Sequence, residues 1–71
     1  MKQKICLDTL SQVRRFVEAV SAVDAPVFIT DGAGLKVSAK SLMGALYSLE
    51  FATLYCECDH DIYSLIHEFA D

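Results

Sequence analysis

Residues 36–46 are Lys36-Val37-Ser38-Ala39-Lys40-Ser41-Leu42-Met43-Gly44-Ala45-Leu46. The first residues of this stretch predict the end of a β-strand. The apolar residues after Ser41 recur at three- and four-residue spacing, which is typical of an amphipathic helix. Serine is a preferred N-cap residue because its hydroxyl accepts a hydrogen bond from a free amide of the first turn. The stretch therefore predicts a strand that ends where a helix begins, with Ser41 at the junction.

The rest of the chain shows the same two patterns. Strands are predicted at residues 4–8, 27–30, 35–38 and 53–58. Helices are predicted after Asp8 and Thr9, from Ser41, and after Asp59 or Asp61, since each of these side chains can cap a helix. The helix residues predicted to face the core are Leu10, Val13, Phe16, Val17, Val20, Val23, Leu42, Ala45, Leu46, Leu49, Ile62, Leu65, Ile66 and Phe69.

The predicted element order is β-α-β-β-α-β-α. Half-polar strands and amphipathic helices in this order predict an α+β fold, an open-faced two-layer sandwich. Its four-stranded antiparallel sheet would carry three helices on one face. Two known topologies fit the order: the ferredoxin-like fold and a second sandwich, named below.

Composition limits the possible functions. Seventy-one residues predict a single domain spanning 1–71. The apolar fraction is 54%, above the usual value of about 45–50%. We therefore expect either unusually complete packing or an apolar surface that meets a partner.

The charge and the cysteines predict the compartment and exclude some partners. The formal net charge of -4 argues against direct nucleic-acid binding, which needs a basic stripe, and against anionic membrane surfaces. No stretch approaches the roughly 18 apolar residues of a membrane span, and the first residues do not resemble a targeting segment. Three cysteines without a disulfide-type spacing predict reduced thiols and a cytoplasmic protein.

The spacing Cys56-x-Cys58-x-His60 suggests a metal site. Zinc sites usually need four ligands, with cysteine pairs two to four residues apart, and no fourth ligand is evident here. Strand alternation places both cysteines on one face, so we interpret them as small core residues. A small metal- or redox-responsive binding module that uses these three residues is kept as an alternative hypothesis.

No arrangement of residues predicts catalysis. His60 is interpreted as a turn residue and His67 as a solvated helix residue. There is no Ser-His-Asp arrangement and no glycine-rich phosphate loop. We therefore predict a protein that is not an enzyme, with no cofactor and no metal.

Ser41 has two interpretations. It is either only a helix cap, or also a phosphorylation site at which a phosphate would meet free helix amides, with Lys36 and Lys40 close in sequence. Met43 and Tyr47 lie one turn apart on the outward side of the predicted helix. They predict a partner-docking pair next to the serine.

These residues resemble a known family. Lys40–Leu46 is similar to the regulatory-serine motif of the histidine-containing phosphocarrier protein, HPr, of the bacterial phosphotransferase system. Phe16-Val17 and Ser21-x-x-Asp24-Ala25-x-Val27 are similar to its first helix and second strand. With one extra residue in the Asp31–Gly34 turn, the resemblance covers nearly the whole chain. Asp61, Leu65 and Phe69 fit the last helix. The implied fold is the HPr-like open-faced sandwich.

The chain departs from the family at the phosphoryl-carrying site. Members carry a histidine at the start of the first helix, then an arginine two residues later, then a proline; here those positions hold Thr9, Ser11 and Gln12. Threonine cannot form the phosphoramidate that makes the histidine carrier reversible. The pattern resembles the serine-regulated HPr paralogues of Gram-positive bacteria. There a dedicated kinase phosphorylates the serine, and the product is corepressor for a catabolite-control transcription factor. Ala45 replaces a larger aliphatic residue of the motif.

The resemblance implies a phosphotransferase-system-related protein that acts by protein–protein binding in carbon-catabolite-type regulation. It implies a regulatory phosphorylation at Ser41 and degenerate active-site positions at Thr9, Ser11 and Gln12. The expected partners are an HPr-type kinase, a transcriptional regulator or phosphotransferase-system components. An alternative is a repurposed fold with an unrelated partner. The predicted partner-binding residues are Leu10, Lys40, Leu42, Met43, Leu46 and Tyr47.

Overall fold

Four strands and three α-helices follow one another in the predicted order. The computed structural model describes all residues, Met1–Asp71. Short 3-10 turns, Ser48–Glu50 and His67–Phe69, continue the second and third helices. The bounds are β1 Lys2–Ile5, α1 Leu10–Ser21, β2 Val27–Thr30, β3 Lys36–Ser38, α2 Leu42–Tyr47, β4 Leu54–Cys58 and α3 Tyr63–Ile66.

The strands form one antiparallel sheet in the order β1-β4-β2-β3. The central strands are β4 and β2, with Cys56 opposite Ile29 in the register. Both side chains are fully buried on the face that the helices cover. The predicted α+β open-faced sandwich is confirmed. None of the helices combines the length and the apolar composition needed to cross a bilayer.

The first strand lies earlier in the chain than predicted. Its ladder with β4 ends at Ile5, which pairs with Leu54, the first residue of β4. The next amide, that of Cys6, instead donates to the Phe69 carbonyl at 2.8 Å. Leu7 is still buried, so the alternation of burial continues beyond the hydrogen-bonded strand. The C-terminal residues thus cover the outer edge of β1.

The core lies between the sheet and the helices. Val13, Phe16 and Val20 of α1 are fully buried, as their spacing predicted. The Phe16 ring meets the Phe69 ring edge-on, with 5.3 Å between centroids. A fully buried side chain of this size contributes roughly 1.5–3 kcal/mol of burial free energy. The complete buried apolar set is Ile5, Leu7, Val13, Phe16, Val20, Val27, Ile29, Ala39, Ala45, Leu54, Cys56, Cys58, Ile62, Ile66 and Phe69.

Four leucines predicted to face the core are exposed instead: Leu10, Leu42, Leu49 and Leu65. Leu10 and Leu42 are the first residues of α1 and α2. Leu49 lies in the 3-10 turn, where about three residues per turn replace 3.6 and the apolar stripe shifts.

In that 3-10 turn Ser48 takes the inward position. It is fully buried, and its hydroxyl donates to the Ala45 carbonyl at 2.6 Å.

The last helix has no side-chain cap of the predicted kind. Its N-cap is Ile62, whose side chain makes no capping hydrogen bond. The Asp61 carboxylate accepts from the Tyr63 amide at 3.0 Å, so it satisfies one free amide from outside the cap position. Asp59 takes no part. The prediction of an Asp59 or Asp61 cap was wrong in position, although an aspartate does hold the start of α3.

Candidate functional site

The start of α1 is closed by a reciprocal cap. The Thr9 hydroxyl accepts from the Gln12 amide at 3.1 Å. The Gln12 side-chain oxygen accepts from the amides of Thr9, at 3.1 Å, and Asp8, at 2.6 Å. This is a capping box, which satisfies free amides that would otherwise face solvent. Two of the three predicted degenerate active-site positions therefore stabilise the helix start.

Sequence reasoning named Thr9 as a cap but missed the role of Gln12. The signal was available, because a threonine followed three residues later by glutamine is the capping-box pattern. Ser11 is exposed, and its side chain makes no hydrogen bond within the protein. It is the one position of the three without a structural role.

The outer side of α1 carries a shallow depression of about 340 Å³ beside this cap. Leu10, Ser11, Arg14, Arg15 and Glu18 line it. Leu10 is 56% exposed at its edge. The Arg15 guanidinium donates to a Glu68 carboxylate oxygen at 2.7 Å, which ties α1 to the C-terminal segment.

Ser41 is the N-cap of α2. Its backbone is extended, at φ -99 and ψ 118, and its hydroxyl oxygen accepts from the Gly44 amide at 3.1 Å. The residue is exposed, and its hydroxyl donates no hydrogen bond to the protein. The predicted cap is confirmed, and the serine expected to be phosphorylated is an exposed residue.

Gly44 sets how closely α2 approaches the sheet. A Cβ atom at this position would lie 3.1 Å from the Ser38 carbonyl oxygen, a backbone atom. Glycine therefore lets the first turn of α2 pack against the end of β3, which fixes the place of Ser41.

The two lysines expected near a Ser41 phosphate are engaged elsewhere. The Lys40 ammonium donates to the Val23 carbonyl at 2.5 Å, just beyond the end of α1. The Lys36 ammonium donates to a Glu57 carboxylate oxygen at 2.7 Å on the sheet. Their closeness in sequence did not predict these partners. Lys40 remains exposed and is held by one hydrogen bond, so it can exchange the carbonyl for a phosphate.

An apolar surface surrounds the start of α2. We call Leu42, Met43, Leu46 and Tyr47 the α2 surface. Met43 is 82% exposed and Tyr47 is 55% exposed, as predicted for the outward side. The Tyr47 ring packs edge-on against Phe51, with 5.8 Å between centroids. Leu46 is half-buried against the core, so it can support the core and still present part of its surface.

The predicted site residues form two groups rather than one. Thr9 to Gln12 lie at the start of α1, and Lys40 to Tyr47 lie at α2. The two helices pack against each other, but no hydrogen bond or ion pair joins a side chain of one group to the other.

The cysteines are divided between the core and the surface. Cys56 and Cys58 are buried on the core face of β4, whereas Cys6 is exposed. Burial raises the pKa of the Cys56 thiol to about 11, which keeps it protonated at neutral pH. His60 is exposed, and no three side chains of His, Cys, Asp or Glu lie close enough to hold a metal ion.

A second concavity, of about 300 Å³, lies where β1 ends and β4 begins. It contains none of the predicted site residues. Its walls are Lys4, Ile5, Cys6, Leu7, Asp8, Leu49, Phe51, Ala52, Thr53, Leu54 and Asp71.

Comparison with known proteins gave no match: no family model, no curated protein and no solved structure matches the chain.

Proposed function

We propose that this chain is an HPr-like bacterial cytoplasmic protein that lacks the phosphoryl-carrying histidine. It acts by binding other proteins, and phosphorylation of Ser41 controls that binding. One observation carries the proposal: an exposed serine caps α2 two residues before Met43, the most exposed large apolar side chain of the chain at 82%. A modifiable hydroxyl therefore adjoins an apolar docking surface.

Phosphorylation at Ser41 would change the partner surface more than the fold. The new group carries about -1.5 to -2 charges and three acceptor oxygens. It would lie at the margin of the α2 surface, with Lys40 next to it in the chain. A partner that offers apolar contacts to Met43 and Tyr47 together with arginine or lysine for the phosphate would then prefer the modified form.

The start of α1 favours regulation over phosphoryl transfer. Thr9 and Gln12 are committed to the capping box, and no histidine lies in this part of the chain. The proposed partners are accordingly an HPr-type kinase and a transcriptional regulator of the catabolite-control class, with phosphotransferase-system components as further candidates.

The test is a binding titration of the purified protein against a catabolite-control regulator. The Ser41-phosphorylated form should bind, and the unmodified form should bind much more weakly. Met43→Ser should weaken binding of the phosphorylated form. Leu65→Ser is the matched control, because Leu65 is also an exposed large apolar side chain but lies on α3. Equal loss in both variants, or no difference between the modified and unmodified forms, would contradict the proposal.

A further inference from the structure

The sheet face opposite the helices carries an ordered set of basic and aromatic side chains. One cross-strand row runs Lys2, Glu57, Phe28, Ser38, and the next runs Lys4, Tyr55, Thr30, Lys36. The two aromatic residues therefore stand on the central strands, and the three lysines stand on the edge strands around them.

Each aromatic ring on this face is covered by one lysine. The Lys2 ammonium lies 5.0 Å from the centre of the Tyr55 ring. The Lys36 ammonium lies 5.0 Å from the centre of the Phe28 ring. Such contacts at exposed positions are modest, so a flat ligand can replace the ammonium over either ring.

The charge of this face differs in sign from that of the whole chain. The chain has a net charge of -4, but the face holds three lysines against one carboxylate, Glu57. That carboxylate accepts from Lys36 at 2.7 Å. Asp71 reaches Lys4 only at the margin, at 3.7 Å. The whole-chain charge predicted no nucleic-acid binding, whereas the folded chain gathers half of its six basic residues on one face.

We propose that this open sheet face binds a short segment of single-stranded nucleic acid. Bases stack on Tyr55 and Phe28, and the ammonium groups of Lys2, Lys4 and Lys36 move to the phosphates. Aromatic faces combined with a basic groove are the usual means of holding single strands, because every base offers a flat face to stack. Four-stranded sheets that bind RNA stack two or three bases in this way.

The size of the face favours nucleic acid over a protein partner. Four strands about 4.8 Å apart, each of at most five residues, give a surface of roughly 15 Å by 15 Å. That is far below the roughly 800 Å² per partner of a stable protein interface. It is enough for two or three nucleotides.

Glu57 limits the affinity of this face for single-stranded nucleic acid. Its carboxylate lies between Lys2 and Phe28 in the register and would repel a phosphate. The Lys36 hydrogen bond lowers the pKa of Glu57, so it stays ionised at neutral pH. Binding is therefore weak, and Glu57→Gln should strengthen it.

The test is a titration of the isotope-labelled chain with oligouridylate and with oligothymidylate of about six nucleotides, followed by amide chemical shifts. Shifts should appear on all four strands, including Lys36 of β3, and not on the outer side of α1. Contacts to three phosphates predict that affinity falls about 20-fold between about 50 and about 200 mM salt. Binding of either oligonucleotide supports the proposal.

Substitutions identify the side chains that bind the oligonucleotide. Tyr55→Leu and Phe28→Leu should each weaken binding roughly 5- to 100-fold, whereas Tyr63→Leu, an exposed tyrosine of α3, should not. Lys2→Gln should flatten the salt dependence, and Arg14→Gln on α1 should leave it unchanged. Lys2→Gln tests the proposal even where an aromatic variant fails to fold.

Three results would overturn the proposal. The first is no shift with either oligonucleotide at low salt. The second is binding that Tyr55→Leu, Phe28→Leu and Lys2→Gln leave unchanged. The third is a polyglutamate peptide that binds the face as tightly as the oligonucleotides and is insensitive to Tyr55→Leu, which would assign the face to acidic protein segments.

Discussion

The side chains of Thr9 and Gln12 close the first turn of α1 on each other. The Thr9 hydroxyl accepts from the Gln12 amide at 3.1 Å, and the Gln12 carboxamide oxygen accepts from the Thr9 amide at 3.1 Å. The HPr resemblance places the phosphoryl-carrying histidine at the position of Thr9 and a proline of the same active site at the position of Gln12. In this chain the same positions hold the helix in place, so they can be altered to test stability separately from binding.

Gln12→Ala should lower the free energy of unfolding by about 1 kcal/mol, because two amides lose their acceptor at the start of α1. Urea denaturation followed by circular dichroism measures the change. Ser11→Ala is the matched control and should stay within about 0.5 kcal/mol, since Ser11 makes no side-chain contact that the fold needs. Equal effects of the two substitutions would show that the capping box does not stabilise the helix.

Only one of the three thiols should react rapidly in the native protein. Cys6 is exposed, whereas Cys56 and Cys58 are buried, so a thiol reagent should label one site until the protein is unfolded. The Cys6 thiol donates to an Asp8 carboxylate oxygen at 3.3 Å. This bond, and then partial desolvation, raises the pKa of Cys6.

Asp8→Asn should therefore speed labelling of Cys6 at a fixed, mildly alkaline pH, because more of the thiol is ionised. Rates are read by mass spectrometry of the labelled chain. Native labelling of Cys56 or Cys58 at the rate of Cys6 would contradict the buried arrangement of β4.

Stability should fall on the alkaline side in a way that depends on Cys56. Burial raises the pKa of this thiol from 9.0 to about 11, so the folded state disfavours the thiolate. The contribution is fully present below pH 9 and is lost as the pH rises through 9 to about 11, since the unfolded chain ionises first.

Denaturation of wild type and Cys56→Ala across this pH range isolates the effect. The variant should be less stable at neutral pH because it leaves a small cavity, but its stability should fall less steeply above pH 9. Parallel curves for the two proteins would show that the Cys56 thiol does not contribute to the pH dependence of stability.

Lys40→Met should destabilise the fold by about 0.5–1 kcal/mol. The Lys40 ammonium donates to the Val23 carbonyl at 2.5 Å, and an exposed hydrogen bond of this kind has a modest net value. Arg14→Met is the control, because the Arg14 side chain makes no ion pair or hydrogen bond in the structure. Equal midpoints for Lys40→Met and wild type in urea would show that the carbonyl contact contributes nothing.

Much of the fold follows from the spacing of apolar residues along the helices and strands. Val13, Phe16 and Val20 share one side of a helix, and Leu54, Cys56 and Cys58 share one side of a strand, so burial was predictable from spacing. The order of elements then specified the two-layer sandwich. The buried positions were correct wherever an element is long enough to show its period.

Most of the errors lie at the ends of elements, and Leu65 lies in a helix of only four residues, which is too short to show a period. Leu10 and Leu42 begin their helices, and Leu49 sits where α2 becomes a 3-10 turn, so each departs from the ideal stripe. The end of β1 depends on where β4 begins, which is a long-range contact and leaves no mark in residues 1–8.

The candidate site was only partly predictable. The cap at Ser41 is local and was predicted from the residue type. The partners of Lys36 and Lys40, namely Glu57 and the Val23 carbonyl, are 21 and 17 residues away in the chain. The lysines on the open sheet face come from both edge strands, and only the strand order brings them around Tyr55 and Phe28. The net charge of the whole chain therefore argued against nucleic-acid binding, although the folded chain has a sheet face with three lysines.

The most direct test of the central claim is phosphorylation by a purified HPr kinase with ATP, read by intact mass and by mapping the modified residue. Wild type should gain one phosphate at Ser41. Ser41→Ala should gain none, and Ser38→Ala, a substitution of a nearby exposed serine, should be modified like wild type. An unmodified wild type, or a phosphate that persists in Ser41→Ala, would contradict the proposed serine-controlled function.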